Sequence, residues 1–194
     1  MHIADGIIPN TWCVAAHALS WTAVYWLGKR LETDEVVRLG MLASATFAIS
    51  LVHFPLGGTS VHLGLYGLCG ILAGRRALPV IFAALLFQTL LFQHGGLLSL
   101  GLNALNMGTG ALLAAFLWRT GLGPDAFRAF LCGFLGVLVP ALLIALEFSL
   151  AGYGKGFLFM AVLYLGAAAL EGVLTVVAVS FLRGARPALL QVRV

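Results

Sequence analysis

Long apolar runs follow one another along nearly the whole chain, each about the 20 residues that a helix needs to cross a bilayer. This repetition constrains the fold more than any other feature. Hydrophobic residues occupy 61% of the 194 positions and charged residues only 9%, which excludes an ordinary soluble domain. The sequence therefore predicts an all-α, polytopic membrane protein that forms a single transmembrane domain over residues 1–194.

Seven membrane spans account for this length and leave no room for a separate soluble domain. We predict them at residues 8–27, 36–52, 61–73, 78–92, 97–118, 126–150 and 157–182. The third span is short, and the glycines at both ends of its 70–74 stretch favour close packing against other helices.

The basic residues indicate how the spans are oriented. If the N-terminus lies outside, all eleven lysines and arginines except Lys155 fall on the inner side. This asymmetry predicts an external N-terminus, a cytoplasmic C-terminus and a location in the cell (inner) membrane. No positive charge precedes the first apolar run, so a cleaved signal peptide is not expected and Met1 should remain. Because the basic residues lie in loops, nucleic acid is not an expected partner.

Four of the five histidines are predicted at the outer interface, at His2, His53, His62 and His94, whereas His17 falls at mid-depth. Any one of them has an ordinary explanation as a hydrogen-bonded loop or helix end. Four on one side favour a binding function instead, because imidazole is a preferred ligand for nickel, cobalt, copper and zinc.

The first two residues form a chelating group of their own. A free amine at Met1 followed directly by His2 closes two small rings on a metal, through the amine, the His2 amide nitrogen and the His2 imidazole. Such a site requires a chain that truly begins at Met1.

The segment that starts at His53 predicts a sharp turn. Pro55 and the glycine pair that follows break the helix, and Thr59 or Ser60 can cap the next one. His62 would then project from the first turn of that helix, toward the bundle axis.

Several polar residues are candidates for supporting a metal site without binding the metal directly. Asn103 and Asn106 lie three residues apart in the outer half of the fifth span, where they either form hydrogen bonds between helices or orient a ligating histidine. Asp5 in the N-terminal segment is a further candidate. His53 and His94 are candidates for orienting or capturing the metal.

Two carboxylates stand inside predicted spans, where an unpaired charge is costly. Glu171 lies in the middle of the last span and Glu147 nearer the outer end of the sixth. Each is a candidate for a proton or ion path, and for Glu171 a structural hydrogen bond to His17 is an equally economical alternative.

Three runs in this order resemble the CbiM/NikM family, the substrate-binding permease component of cobalt and nickel energy-coupling-factor transporters. They are Met1-His2-Ile3-Ala4-Asp5-Gly6, Gly57-Gly58-Thr59-Ser60-Val61-His62-Leu63 and Leu105-Asn106-Met107-Gly108. The resemblance covers nearly the whole chain. One departure is Ala4, where the family often has proline.

The resemblance implies a seven-helix protein whose external N-terminal segment, residues 1–7, enters the bundle. Cobalt(II) or nickel(II) would be held there in nearly square-planar fashion as the bound substrate. The ligands carried over would be the Met1 amine, the His2 backbone nitrogen, the His2 imidazole and the His62 imidazole. Planar nitrogen coordination suits both metals, so the choice between them stays open.

The resemblance also implies partners that supply the energy for transport. The sequence agrees with this, since it contains no GxxxxGK[ST] phosphate loop with which to bind ATP itself. The partners would be a transmembrane coupling (T) component and cytoplasmic ATPase subunits. Whether a small auxiliary membrane subunit is also required stays open. A stripe of small residues at Gly40, Ser44 and Ala48 offers either a docking face for a partner helix or packing within this bundle.

Other classes fit the sequence less well. A haem protein needs histidine pairs at matched depth, and only His17 lies deep enough. The sequence contains neither an HExxH nor a GxSxG motif, so a hydrolytic enzyme is not indicated. The main alternative is an autonomous transition-metal channel or secondary carrier, which would keep the site and work without ATPase partners.

Overall fold

A computed structural model describes residues 2–56, 59–153 and 157–190 of the chain. The described residues form seven α-helices and one two-stranded hairpin. In chain order these are α1 (Asn10–Gly28), α2 (Thr33–Ser50), β1 (His53–Leu56), β2 (Thr59–His62), α3 (Tyr66–Ala73), α4 (Ala77–Phe92), α5 (Leu100–Arg119), α6 (Asp125–Leu150) and α7 (Phe157–Ala185). Short 3₁₀ turns lie at Gly74–Arg76 and Pro187–Leu190.

The prediction of an all-helical membrane protein is confirmed in its main features. Four segments of the described chain are long and apolar enough to cross a membrane, namely Tyr66–Phe92, Leu100–Arg119, Asp125–Leu150 and Phe157–Ala185. The number of spans and the side of the membrane on which each terminus lies stay predictions.

The segment between α2 and α3 is an antiparallel hairpin, and its register pairs His53 with His62. The predicted helix cap at Thr59 or Ser60 is therefore wrong, as is the placement of His62 in a first helical turn. A strand continues through His62, and α3 begins only at Tyr66. The alternation of small and β-branched residues before His62 suits extended backbone better than helix.

The chain reverses direction between α3 and α4. A straight helix over the 27 residues of Tyr66–Phe92 would be about 40 Å long. However, His62 just before it and His94 just after it have ring centroids only 5.4 Å apart. The reversal occurs at Gly74, whose φ of 58° lies in the region that favours glycine.

Arg76 fixes this reversal at the end of the bundle opposite to the histidines. Its side chain is buried, and its guanidinium donates to the carbonyls of Leu27 and, at 2.9 Å, Lys29, where α1 ends. Because α1 has 19 residues and is about 28 Å long, this end is well separated from the N-terminal segment.

Helix α5 lies at the centre of the bundle, in contact with α1, α3, α4 and α6. Small side chains let these helices approach closely. Ala104, Ala111 and Ala114 are fully buried, and a Cβ on Gly101 would meet the backbone of His17 in α1. This central helix begins beside the N-terminal segment and so positions the site described next.

The stripe of small residues on α2 faces away from the bundle. Gly40, Ser44 and Ala48 are all exposed. The alternative that they pack within this bundle is therefore wrong, whereas docking of a partner helix on them stays a prediction.

Candidate metal centre

Three histidines from distant parts of the chain meet at one end of the bundle. His2 comes from the N-terminal segment, His62 from the end of β2 and His94 from the loop after α4. One ligand nitrogen of each lies within 4.8 Å of the other two. His62 is buried, and the other two are half-buried. A cavity of about 330 Å³ adjoins the three rings.

A hydrogen bond orients the His62 ring. Its Nδ1 lies 3.1 Å from the carbonyl oxygen of Leu63. Because a carbonyl only accepts, Nδ1 must carry the proton, so Nε2 is the nitrogen with the lone pair in the neutral imidazole. This is the usual way in which a second hydrogen bond fixes the tautomer of a ligating histidine.

The relative orientation of the three rings limits how they could bind one metal. His2 and His62 are stacked, with centroids 4.7 Å apart and planes 8° from parallel, and His94 stands at 87° and 79° to them. A metal bound by two nitrogens at about 2.1 Å keeps them no more than about 4.2 Å apart. An imidazole lone pair lies in the ring plane, so two stacked rings can share a metal only after one of them turns.

The segment that carries His2 is held by Ile3, which is fully buried. The Ile3 N–H donates to Oδ1 of Asn103 at 2.8 Å, and Nδ2 of Asn103 donates to the Ile3 carbonyl at 2.9 Å. The Ser99 hydroxyl donates to the same carbonyl at 2.7 Å. Asn103 thus supports the site through Ile3, which follows His2. Its carboxamide bonds both the N–H and the carbonyl of Ile3, as a neighbouring β-strand does.

Asp5 ties the same segment to the start of α5. Its carboxylate accepts the N–H of Ser99 at 2.8 Å and the N–H of Leu98 at 3.1 Å. Burial tends to raise the pKa of Asp5, but these hydrogen bonds outweigh it and hold the pKa below its usual range. A Cβ on Gly96 would overlap this carboxylate, so the position has no room for a side chain and requires glycine.

Sequence reasoning missed Ile3, Ser99, Gly95 and Gly96 as parts of the site. A Cβ on Gly95 would lie 3.5 Å from the Cβ of His2, so the glycine pair forms the surface against which the N-terminal segment lies. The signal that would have revealed it is the glycine doublet placed directly after His94 and shortly before a helix.

The remaining candidates lie elsewhere or outside the described residues. Asn106 donates to Oε2 of Glu147 at 2.8 Å, which is a hydrogen bond between α5 and α6. His53 contributes its backbone to the hairpin, but its side chain lies outside the described residues, as do Met1 and the glycine pair at positions 57 and 58. The Met1 amine therefore stays a predicted ligand.

The alternative of a structural hydrogen bond between His17 and Glu171 is not observed, because the structure gives each of them another partner. Nε2 of His17 lies 2.9 Å from the Leu97 carbonyl, which joins α1 to the loop before α5. Glu171 instead accepts the N–H groups of Gly64 and Leu65.

Taken together, an apolar helical bundle and a cluster of three imidazoles at one end define a membrane protein with a candidate transition-metal site. The profile described as the cobalt uptake substrate-specific transmembrane region, CbiM, matches residues 2–189. The chain therefore belongs to the CbiM family, as its sequence motifs suggested, and this membership supports metal uptake.

Individual relatives agree with this assignment. A "Cobalt transport protein CbiM" of Sorangium cellulosum is 33% identical over 98% of this chain and 94% of its own length. A "Fused nickel transport protein NikMN" of Rhodobacter capsulatus is 31% identical over 76% of this chain, which spans 47% of that protein. A protein of Haemophilus influenzae is 33% identical over 64% of this chain, which spans 61% of it.

A solved structure has the same fold. The crystal structure described as a transition metal transporter superposes with a TM-score of 0.83 at 23% identity, over 95% of this chain and 93% of the other.

Proposed function

We propose that this protein is the metal-capturing membrane component of an ATP-driven importer for cobalt(II) or nickel(II), of the energy-coupling-factor type. The observation that carries the proposal is the convergence of His2, His62 and His94 at one end of the bundle, in a chain of a cobalt-uptake family. Relatives named for cobalt and for nickel support both metals as substrates.

The proposed donors are the Met1 amine, the His2 amide nitrogen, the His2 imidazole and Nε2 of His62. The hydrogen bond from Nδ1 of His62 to Leu63 supports the last of these, because it places the ring proton on Nδ1 and makes Nε2 the unprotonated nitrogen. Four nitrogens in a plane suit nickel(II) and low-spin cobalt(II), whereas magnesium and calcium prefer oxygen.

His94 has the role of a capture residue in this proposal. Its ring lies 4.6 Å from that of His2 and nearly perpendicular to it, and it lines the cavity beside the cluster. A metal that first meets His94 needs to move only a few ångströms, roughly the spacing of the rings, to reach the other two imidazoles.

Energy for import comes from partners in this proposal. A coupling component and cytoplasmic ATPase subunits would join this chain in the cell membrane, with the histidine end outside. The outward-facing stripe at Gly40, Ser44 and Ala48 supports α2 as a docking face, since small residues allow two helices to approach closely.

Two measurements test the proposal. Protein purified with a native N-terminus from metal-replete cells should contain one nickel or cobalt per chain by elemental analysis. Metal uptake should depend on co-expressed coupling and ATPase subunits and disappear when the ATPase is inactivated. Absence of bound metal would overturn the proposal, and uptake without partners would establish an autonomous channel or carrier instead.

A further inference from the structure

A buried carboxylate in α7 holds the loop that follows His62. Glu171 is only 1% exposed. Its Oε1 accepts the N–H of Gly64 at 2.5 Å, and its two oxygens accept the N–H of Leu65 at 3.1 and 3.0 Å. Glu171 is 107 residues from Gly64 in sequence, so this contact joins two distant parts of the bundle.

The loop requires such support, because its own conformation is unfavourable. Leu65 has a φ of 48°, which costs free energy for a residue with a side chain. A Cβ on Gly64 would overlap the ring of Tyr66, so the backbone packs directly against that ring. These residues lie between β2 and α3, where neither element supplies hydrogen bonds to their amides.

The loop in turn fixes the imidazole of His62. Leu63, whose carbonyl accepts the hydrogen bond from Nδ1 of His62, directly precedes Gly64. Movement of the amides of Gly64 and Leu65 would therefore move the carbonyl that orients the ring. A continuous series of contacts leads from the carboxylate in α7 to Nε2 of His62.

We propose that Glu171 is a positioning residue for the metal site, which holds the His62 ring in place through the backbone of Leu63, Gly64 and Leu65. The proposal rests on the proposed function, in which His62 binds the metal. It differs from a proton or ion path, since the carboxylate acts here by accepting amide hydrogen bonds and never touches the metal.

Glu171→Gln tests this role with little change in volume. The glutamine offers one oxygen to the loop and turns its NH₂ group toward an amide donor, so one hydrogen bond is replaced by repulsion. Loss of a group that orients a ligating histidine typically weakens metal binding by about 10–100-fold. We expect an increase of this size in the dissociation constant for nickel(II), measured by calorimetry.

Thr175→Val is the matched control. Thr175 is one turn further along α7 and equally buried, and its hydroxyl donates to the backbone carbonyl of Glu171 at 2.7 Å. This variant perturbs the same helix without changing the carboxylate, and we expect it to keep wild-type affinity. Unchanged affinity in Glu171→Gln, or equal losses in both variants, would overturn the proposal.

A double-mutant cycle with His62→Ala, titrated with nickel(II) in large excess so that weak binding by the remaining N-terminal ligands is measured, shows whether Glu171 acts through His62. In that background Glu171→Gln should cause no further loss of affinity, because the ring it positions is absent. Copper(II) bound to Glu171→Gln should give an electron paramagnetic resonance spectrum that differs from that of the wild type, because the His62 nitrogen is displaced from its position. Additive losses or a wild-type spectrum would show that Glu171 acts elsewhere.

If Glu171→Gln does not fold, Glu171→Asp replaces it. The aspartate keeps the charge but withdraws the oxygens by about 1.5 Å, the length of one C–C bond, so the loop amides lose their partner. We expect weaker nickel binding here as well, and wild-type affinity would refute the positioning role. A wild-type protein that retains no metal would instead refute the proposed function itself, and these two failures are distinct.

Discussion

Replacement of Asn103 by leucine should release the N-terminal segment that presents His2. The side chain is 2% exposed and makes two hydrogen bonds with the backbone of Ile3. Leucine has a similar volume and cannot accept a hydrogen bond. The Ile3 carbonyl keeps the hydroxyl of Ser99 as a donor, whereas the fully buried Ile3 N–H loses Oδ1 of Asn103 as its acceptor.

The expected magnitude follows from this single lost acceptor. A buried amide left without a partner costs about 1–3 kcal/mol. Since about 1.4 kcal/mol corresponds to a factor of ten, the docked form of the segment becomes about 5 to 150 times less favourable. The apparent dissociation constant for nickel(II) rises as the undocked fraction of the segment rises. In Asn103→Leu it should therefore increase by at most about 150-fold.

Calorimetric titration with nickel(II), on protein with a native N-terminus, measures this loss. Asn106→Leu is the matched control, because Asn106 is equally buried on the same helix but donates to Glu147. Asn106→Leu should bind metal like the wild type, and both variants should keep the helical circular dichroism of the bundle. Wild-type affinity in Asn103→Leu, or equal losses in the two variants, would refute the argument that Asn103 acts through the N-terminal segment.

Three further predictions test the ligands and the orientation of the chain. His62→Ala should abolish stoichiometric metal retention, whereas His17→Ala should leave it measurable, because His17 bonds the loop before α5 rather than joining the cluster; equal retention would remove His62 from the site. One glycine or serine added before Met1 should reduce metal binding as strongly as His2→Ala does, since the chelate rings then cannot close. Full metal content in the extended protein would show that the Met1 amine is not a ligand. A cysteine at the exposed position of Tyr153 should react with an impermeant reagent from outside and one at Arg75 should not, against a background of three buried native cysteines; the reverse pattern would place the histidines on the cytoplasmic side.

The sequence by itself determined the class of the protein and most of its candidate ligands. Apolar runs and the scarcity of charge are local properties, and a membrane helix depends mainly on them. The seven predicted spans accordingly correspond to the seven observed helices, with shifts of a few residues at their ends except at the third. The histidines could be assigned to one end because each lies next to the end of an apolar run.

Tertiary structure alone decided how these histidines meet and what holds them. The sequence predicted separate spans at residues 61–73 and 78–92 and so a reversal between them, but only the structure shows that the rings of His62 and His94 come into contact. Asn103 binds a backbone 100 residues away, and Glu171 binds one 107 residues away. Hydropathy shows that such buried polar groups need partners but carries no information about which partners, because the pairing depends on how the helices pack around α5.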